Sequence, residues 1–174
     1  MIEINLEDIK SINDLFYIGM SRKVPELFTE VNEAVNLNLG AGSGFKKING
    51  TIPLDYPDWN AESDKIPYDD NSVDSITALH FLEHIKNVKF VIEEIDRVLK
   101  PGGFANIVVP YYNSNLQFSN LDHYSYFNEK TFQRLFTEST YVSTDYKFSL
   151  EVGTQFIIGI VERNLCLMTQ LVKK

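Results

Sequence analysis

Cysteine, basic charge and long apolar runs are all scarce in this chain. The single Cys166 excludes an internal disulfide framework, and neither a C-x-x-C pair nor a Cys/His cluster signals zinc, so no metal is expected. Lys and Arg number 16 against 24 Asp and Glu, a net charge of −8. Holding a phosphate backbone takes clustered cations, so no nucleic acid partner is expected. No apolar stretch reaches membrane-spanning length, and no charged-then-apolar leader follows Met1; the expectation is a cytoplasmic chain without a membrane partner. Repeats, low-complexity tracts and linkers are also missing. What is present suits one globular domain over residues 1–174 with a sizeable core: 44% hydrophobic and 23% charged residues.

Val35 to Gly44, Val-Asn-Leu-Asn-Leu-Gly-Ala-Gly-Ser-Gly, organises the rest. Val35, Leu37 and Leu39 alternate with Asn36 and Asn38, so a short strand ends where glycines occupy every second position. A strand running into such a loop opens a nucleotide-type site in an open α/β sheet. A dinucleotide fingerprint needs its third glycine where Phe45 stands, and the Gly-Lys-Ser/Thr of a P-loop is absent.

Before this loop, Leu6 to about Arg22 reads as an amphipathic helix, and Val24 to Phe28 as the start of a second. After it, only Phe45 to Gly50 separate Gly44 from the next strand, Thr51 to Asp55. Six helical residues advance about 9 Å, whereas returning along a five-residue strand takes about 16 Å. The first crossover helix is therefore expected to be missing or reduced to a turn. Tyr56 to Lys65 has no more room for the rest of a second crossover and a third strand. Asp55 ends its strand where an acidic residue can accept both ribose hydroxyls, or simply terminates the strand. A buried strand is expected around Val73 to Leu79. Val88, Val91, Ile92, Ile95, Val98 and Leu99 then recur at helical spacing. Lys100-Pro101-Gly102-Gly103 stops that helix before a strand from Phe104 to Val109. An aromatic loop follows, and Asn128 is expected to cap a helix with Phe132, Leu135 and Phe136 inward. Two β-rich runs, Tyr141 to Leu150 and Thr154 to Val161, close the chain around a turn at Glu151-Val152-Gly153.

Four segments in order, "LNLGAGSG", Asp55, "IPYDDNSVD…LEHI" and "RVLKPGG", resemble class I S-adenosylmethionine (SAM)-dependent methyltransferases, in a compact subgroup similar to methyltransferase type 11. The resemblance runs from about Val35 to Tyr141. It implies a Rossmann-like three-layer α/β sandwich with a mostly parallel sheet and an antiparallel last strand, with residues 1–34 as a helical segment and 35–174 as the core. It also implies an enzyme that moves a methyl group from SAM to a small-molecule or sugar-type acceptor, releasing S-adenosylhomocysteine.

Under that resemblance Leu39, Gly40, Ala41 and Gly42 lie beneath the methionine part of the cofactor. Asp55 holds the ribose, Tyr56 also contacts the cofactor, and Trp59, Asn60, Ala61 and Glu62 edge the adenine. Trp59 covers the base or is a half-buried core residue, and Asn60, Glu62 and Asp64 all compete for the adenine amine. Leu79 and His80 sit near the methyl group. His80 and His123 are candidate general bases, while His84 reads mainly as a structural hydrogen-bonding residue and His123 equally as a loop staple. Tyr111, Tyr112 and Tyr124 line the acceptor pocket, or the first two merely cap the core. With both early crossovers reduced, the N-terminal helices or a second subunit of a homodimer are expected to cover the adenine edge. Two other classes fit the same residues: a SAM- or S-adenosylhomocysteine-binding protein without transfer, and a nucleotide-dependent oxidoreductase, against which Phe45 counts.

Overall fold

The computed structural model describes residues 34–42, 48, 50–136, 148–159 and 164–174. The N-terminal helices expected from Leu6 to Arg22 and from Val24 lie outside them, as does any cover they provide. From Val35 onward the described chain forms one compact unit. Its centre is a six-stranded sheet of β1 (Asn36–Leu39), β2 (Ile52–Leu54), β3 (Val73–Leu79), β4 (Leu99–Pro110), β5 (Leu150–Gly159) and β6 (Leu165–Lys173), in the order β2-β1-β3-β4-β6-β5. The first four strands run parallel, and β6 runs antiparallel to both β4 and β5. Neighbouring residues of a strand face opposite sides of a sheet. Leu37, Asn38 and Leu39 are all buried, as are Ile76, Thr77 and Ala78, so the sheet is covered on both faces. This is the Rossmann-like α/β architecture that the sequence predicts.

Four Ile/Val positions make the buried stripe of α1 (Val88–Val98): Val91, Ile92, Ile95 and Val98. Asn87 starts the helix by accepting a hydrogen bond from the Phe90 amide at 3.2 Å. Behind the helix, Glu94 and Arg97 brace the segment that leads into β3. Arg97 donates to the carbonyls of Ile66 and Tyr68 and to Asp70, and Glu94 accepts from the Ile66 amide. Lys100 and the Val35 amide both meet Asp74 at 2.8 Å, tying β1, β3 and the start of β4 together. Much of the sequence resemblance is therefore scaffold.

The connections differ from expectation in part. Of the β1–β2 link, Gly40–Gly42, Ile48 and Gly50–Thr51 are described, and none is helical. Tyr56 to Lys65 forms turns only, with no remnant of a third strand. Its amides are used locally, Trp59 N–H donating to the Asp55 carbonyl and Asp64 N–H to that of Asn60. Ten residues cannot both turn and return along the sheet, so β2 is left as the edge strand. A short helix α2 (Asn115–Phe118) interrupts the aromatic loop. In α3 (Glu129–Phe136) Phe132 is buried, and Asn128 Oδ1 accepts from the Lys130 amide at 3.0 Å, the cap the sequence announces.

At the carboxyl end the hairpin is shifted. Glu151-Val152-Gly153 lies inside β5 rather than at a turn, and Val152 pairs with Leu171. The register slips between Val152 and Gln155, so the Gly-containing stretch is an irregularity within a strand. The partner strand is β6, a segment for which the sequence pattern raises no strand expectation. No described helix is long and apolar enough to cross a membrane.

Candidate functional site

Parallel strands bring their carboxyl ends to one edge. Leu54, Leu39, Ala78 and Ile107 stand in one row across β2, β1, β3 and β4. Asp55 and Gly40 follow that row directly, His80 two residues past Ala78 and Tyr111 four past Ile107, so four separate sequence segments run out at the edge where open α/β sheets bind ligands.

Gly40 turns out of β1 at φ +62°, and its amide donates to the Leu54 carbonyl at 2.8 Å. Gly42 follows at φ +58°, and its amide donates to Asp55 Oδ2 at 2.6 Å. Asp55 Oδ1 accepts from the Tyr56 amide at 2.9 Å. Two backbone donors thus aim the carboxylate at the glycine turn. Ala41 is buried and Tyr56 is exposed.

Trp59 is buried, with its indole N–H donating to the Asp64 carbonyl at 3.1 Å and its ring 6.0 Å from that of Phe81. Asn60 is exposed and Ala61 buried beside it. Glu62 is engaged elsewhere: it accepts from the Lys86 amide at 2.8 Å and the Asn87 amide at 3.3 Å, joining this loop to the start of α1. Asp64 accepts from the Asn60 amide and the Ser63 hydroxyl, which together hold its carboxyl below the usual range.

His80 takes φ +48° after Leu79, a backbone conformation unusual for a side-chain-bearing residue. Its Nδ1 lies 3.1 Å from Glu83 Oε1, and its Nε2 lies 3.7 Å from the Cys166 sulfur. A carboxylate only accepts, so the ring carries hydrogen on Nδ1. Burial, and after it the Glu83 carboxylate, pushes the Cys166 thiol up to about 12. The sulfur therefore faces His80 as a neutral, weak donor. Glu83 is absent from the expected site residues, although His80 and Glu83 stand three apart, a spacing that brings side chains together on a helical turn. Cys166 comes from β6, and sequence offers no signal for it.

The aromatic loop separates its tyrosines. Tyr111 donates its hydroxyl to Glu129 at 3.0 Å, and burial followed by that bond raises its ionisation above the ordinary tyrosine value. Tyr111 thus secures α3. Tyr112 and Tyr124 are about half exposed, and Lys86 stands 4.9 Å over the Tyr124 ring. His84 Nδ1 faces the Asp122 carbonyl at 3.1 Å and His123 Nδ1 the Gln117 carbonyl at 3.0 Å. Both histidines act as loop staples, and their rings meet edge to face with centroids 4.7 Å apart.

The parallel sheet, the glycine turn after β1 and the acidic residue after β2 define a Rossmann-like α/β domain. Residues 37–107 match the family described as "Methyltransferase domain". Over 79 residues the chain is 33% identical to the ubiquinone/menaquinone biosynthesis C-methyltransferase UbiE of Bartonella bacilliformis, covering 41% of this chain and 30% of that protein. Over 64 residues it is 34% identical to the sterol 4-C-methyltransferase strm-1 of Caenorhabditis elegans, covering 37% and 19%. The matches thus span less than a third of either relative. Among solved structures, a SAM-dependent methyltransferase from Aquifex aeolicus superposes with a TM-score of 0.60 at 17% identity, covering 99% of this chain and 100% of that one. A chain from the complex of the Haloferax volcanii Trm112 methyltransferase activator with a methyltransferase gives 0.62 at 15% identity, covering 92% and 91%.

Proposed function

We propose that this protein transfers a methyl group from SAM to a small apolar acceptor. The observation that carries this reading is the Gly42–Asp55 pair, a backbone turn and a carboxylate already aimed at each other at the edge of the sheet. Gly40 to Gly42 give the methionine end of the cofactor close access to the backbone. Asp55 exchanges its internal amide contacts for the ribose hydroxyls, and Asn60 and Ala61 edge the adenine with Trp59 behind them. Glu62, held by two amides, braces the wall instead of reading the base.

A sulfonium is an activated donor, so the chain's own work is to position an acceptor in line with it and, where needed, to take a proton. Glu83 holds His80 with Nε2 as the basic nitrogen, and the thiol facing that nitrogen is a donor that an acceptor hydroxyl or amine readily displaces. The acceptor side is apolar. Tyr112, Phe118, Leu121, Tyr124 and Tyr126 are all exposed on the loop after β4. The two curated relatives are C-methyltransferases of quinone biosynthesis and of sterols, which supports an apolar ring rather than a sugar as acceptor.

Calorimetric titration with SAM tests the reading. Asp55→Ala is expected to weaken binding about 10- to 100-fold, the loss of hydrogen bonds to a charged group. A wild-type chain that binds neither SAM nor S-adenosylhomocysteine overturns it.

A further inference from the structure

We propose that Glu83, His84 and His123 hold a divalent, zinc-type cation that clamps the aromatic loop to the turn after β3. These side chains come from two segments far apart in the sequence, yet one ligand atom from each lies within 4.8 Å of the others. A methyl transfer from SAM does not require such an ion, so the inference stands apart from the proposed function.

The hydrogen bonds prepare the histidines for this role. A backbone carbonyl only accepts, so the bonds to Asp122 and Gln117 place the hydrogen of each ring on Nδ1. The lone pair of each neutral ring is then on Nε2. Metal-ligating imidazoles are commonly held in this way, with the second nitrogen donating to a carbonyl or carboxylate.

Glu83 supplies the independent observation. Its side chain is fully buried; Oε1 faces His80, and Oε2 has no hydrogen-bond partner. Burying a carboxylate oxygen without a donor is costly, and a cation removes that cost. Gln117 Oε1 is a second buried acceptor without a partner, in the residue whose carbonyl holds His123. Its amide nitrogen donates to the carbonyl of Ser125, and the Ser125 hydroxyl in turn donates to that of Ile85. This corner is therefore rich in acceptors and short of donors.

The backbone fastens the two segments together before any ion arrives. The amides of Tyr124 and Ser125 donate to the Glu83 carbonyl at 2.7 and 3.3 Å. Ligand atoms bound tetrahedrally to zinc at about 2.0–2.1 Å sit about 3.3 Å apart. One ligand atom of each side chain already lies within 4.8 Å of the others, and side-chain rotation brings the donors toward the tetrahedral spacing. Two imidazoles and one carboxylate suit zinc, whereas magnesium and calcium take oxygen ligands. Three protein ligands leave a fourth position for water or for an oxygen of a bound small molecule.

The test is titration of the chelator-stripped full chain with Zn²⁺ by calorimetry and with Co²⁺ by visible absorption, both without SAM. One equivalent of Zn²⁺ is expected to bind, and His84→Ala and His123→Ala are each expected to weaken it by about tenfold or more. Co²⁺ should give ligand-field bands in wild type that His123→Ala abolishes, and Zn²⁺ should raise the melting temperature of wild type alone. If a variant fails to fold, the imidazole nitrogen NMR signals of wild type decide. Two histidines shifting together at one equivalent support the site, and none shifting overturns it. Binding that His84→Ala and His123→Ala both leave unchanged also overturns it. Because no SAM is present, this outcome is independent of the cofactor reading.

Discussion

At Gly40 the chain leaves β1 with φ +62°, and a Cβ built there would stand 2.3 Å from Phe81 Cδ2 and 2.9 Å from Phe81 Cβ. Two separate penalties follow for any side chain: a left-handed backbone, and an overlap with a ring whose own Cβ blocks its retreat. Gly102 isolates the first penalty, since it has φ +81° and a methyl placed on it would meet nothing within 4 Å. Gly102→Ala should therefore cost about 1 kcal/mol. Gly40→Ala should cost about 2–4 kcal/mol and weaken SAM binding as well. Thermal melts of the two variants check this, and equal losses would show that contact with Phe81 adds nothing. His80 shows the same economy at the end of β3, taking φ +48° without being glycine. Strain of that kind is concentrated at ligand-binding edges of folds.

At the level of elements, α1 does more than cover the sheet. Glu94 and Arg97 lie three apart on it and together secure Ile66 to Asp70, the segment that delivers the chain into β3. Arg97 is mostly buried, and its contacts with Glu94 and Asp70 raise its ionisation further. Replacing Arg97 by Leu leaves the buried Glu94 carboxylate without its cation. The expected loss is about 3–5 kcal/mol in chemical denaturation, with the isosteric Glu94→Gln less severe because the amide still accepts. The apolar period of α1 and the Pro-Gly-Gly stop after it made this helix legible. β6 was not legible. Leu165 to Lys173 lacks clean alternation because nearly all its residues are buried or half-buried, Cys166, Leu167, Met168 and Thr169 in succession. A strand covered on both faces reads as an undifferentiated run, and its pairing with β4 joins residues far apart in the sequence, Ile107 with Thr169 for example.

For the whole molecule, pH is the simplest global probe of what the fold does to Cys166. Its thiol moves from the usual 9.0 to about 12, chiefly by burial and then by Glu83. Between those values the unfolded chain gives up the proton while the native chain keeps it. Fewer protons are bound in the unfolded state, so stability falls as pH rises through this window, by up to about 1.4 kcal/mol per pH unit from this one group. Denaturation of wild type and Cys166→Ala from pH 8 to 11 should show the stability difference between them shift by that slope. Parallel curves would mean the thiol ionises alike in both states. Alkylation of the native thiol at pH 8 should be correspondingly slow, since the thiolate is the nucleophile.

Local pattern alone determined the glycine turn, the Asp55 that follows β2, the α1 helix and the Asn128 cap, because each depends on residues within about one turn or one strand of each other. Arithmetic on chain length also determined that the second connection has no room for a full helix and strand. The meaning of the histidines was left to the tertiary structure. His80 meets Glu83 locally but meets Cys166 only because β6 inserts between β4 and β5. His84 and His123 meet only because the loop after β4 folds back onto the turn after β3. Such contacts depend on the order in which strands assemble, which no spacing in the sequence encodes.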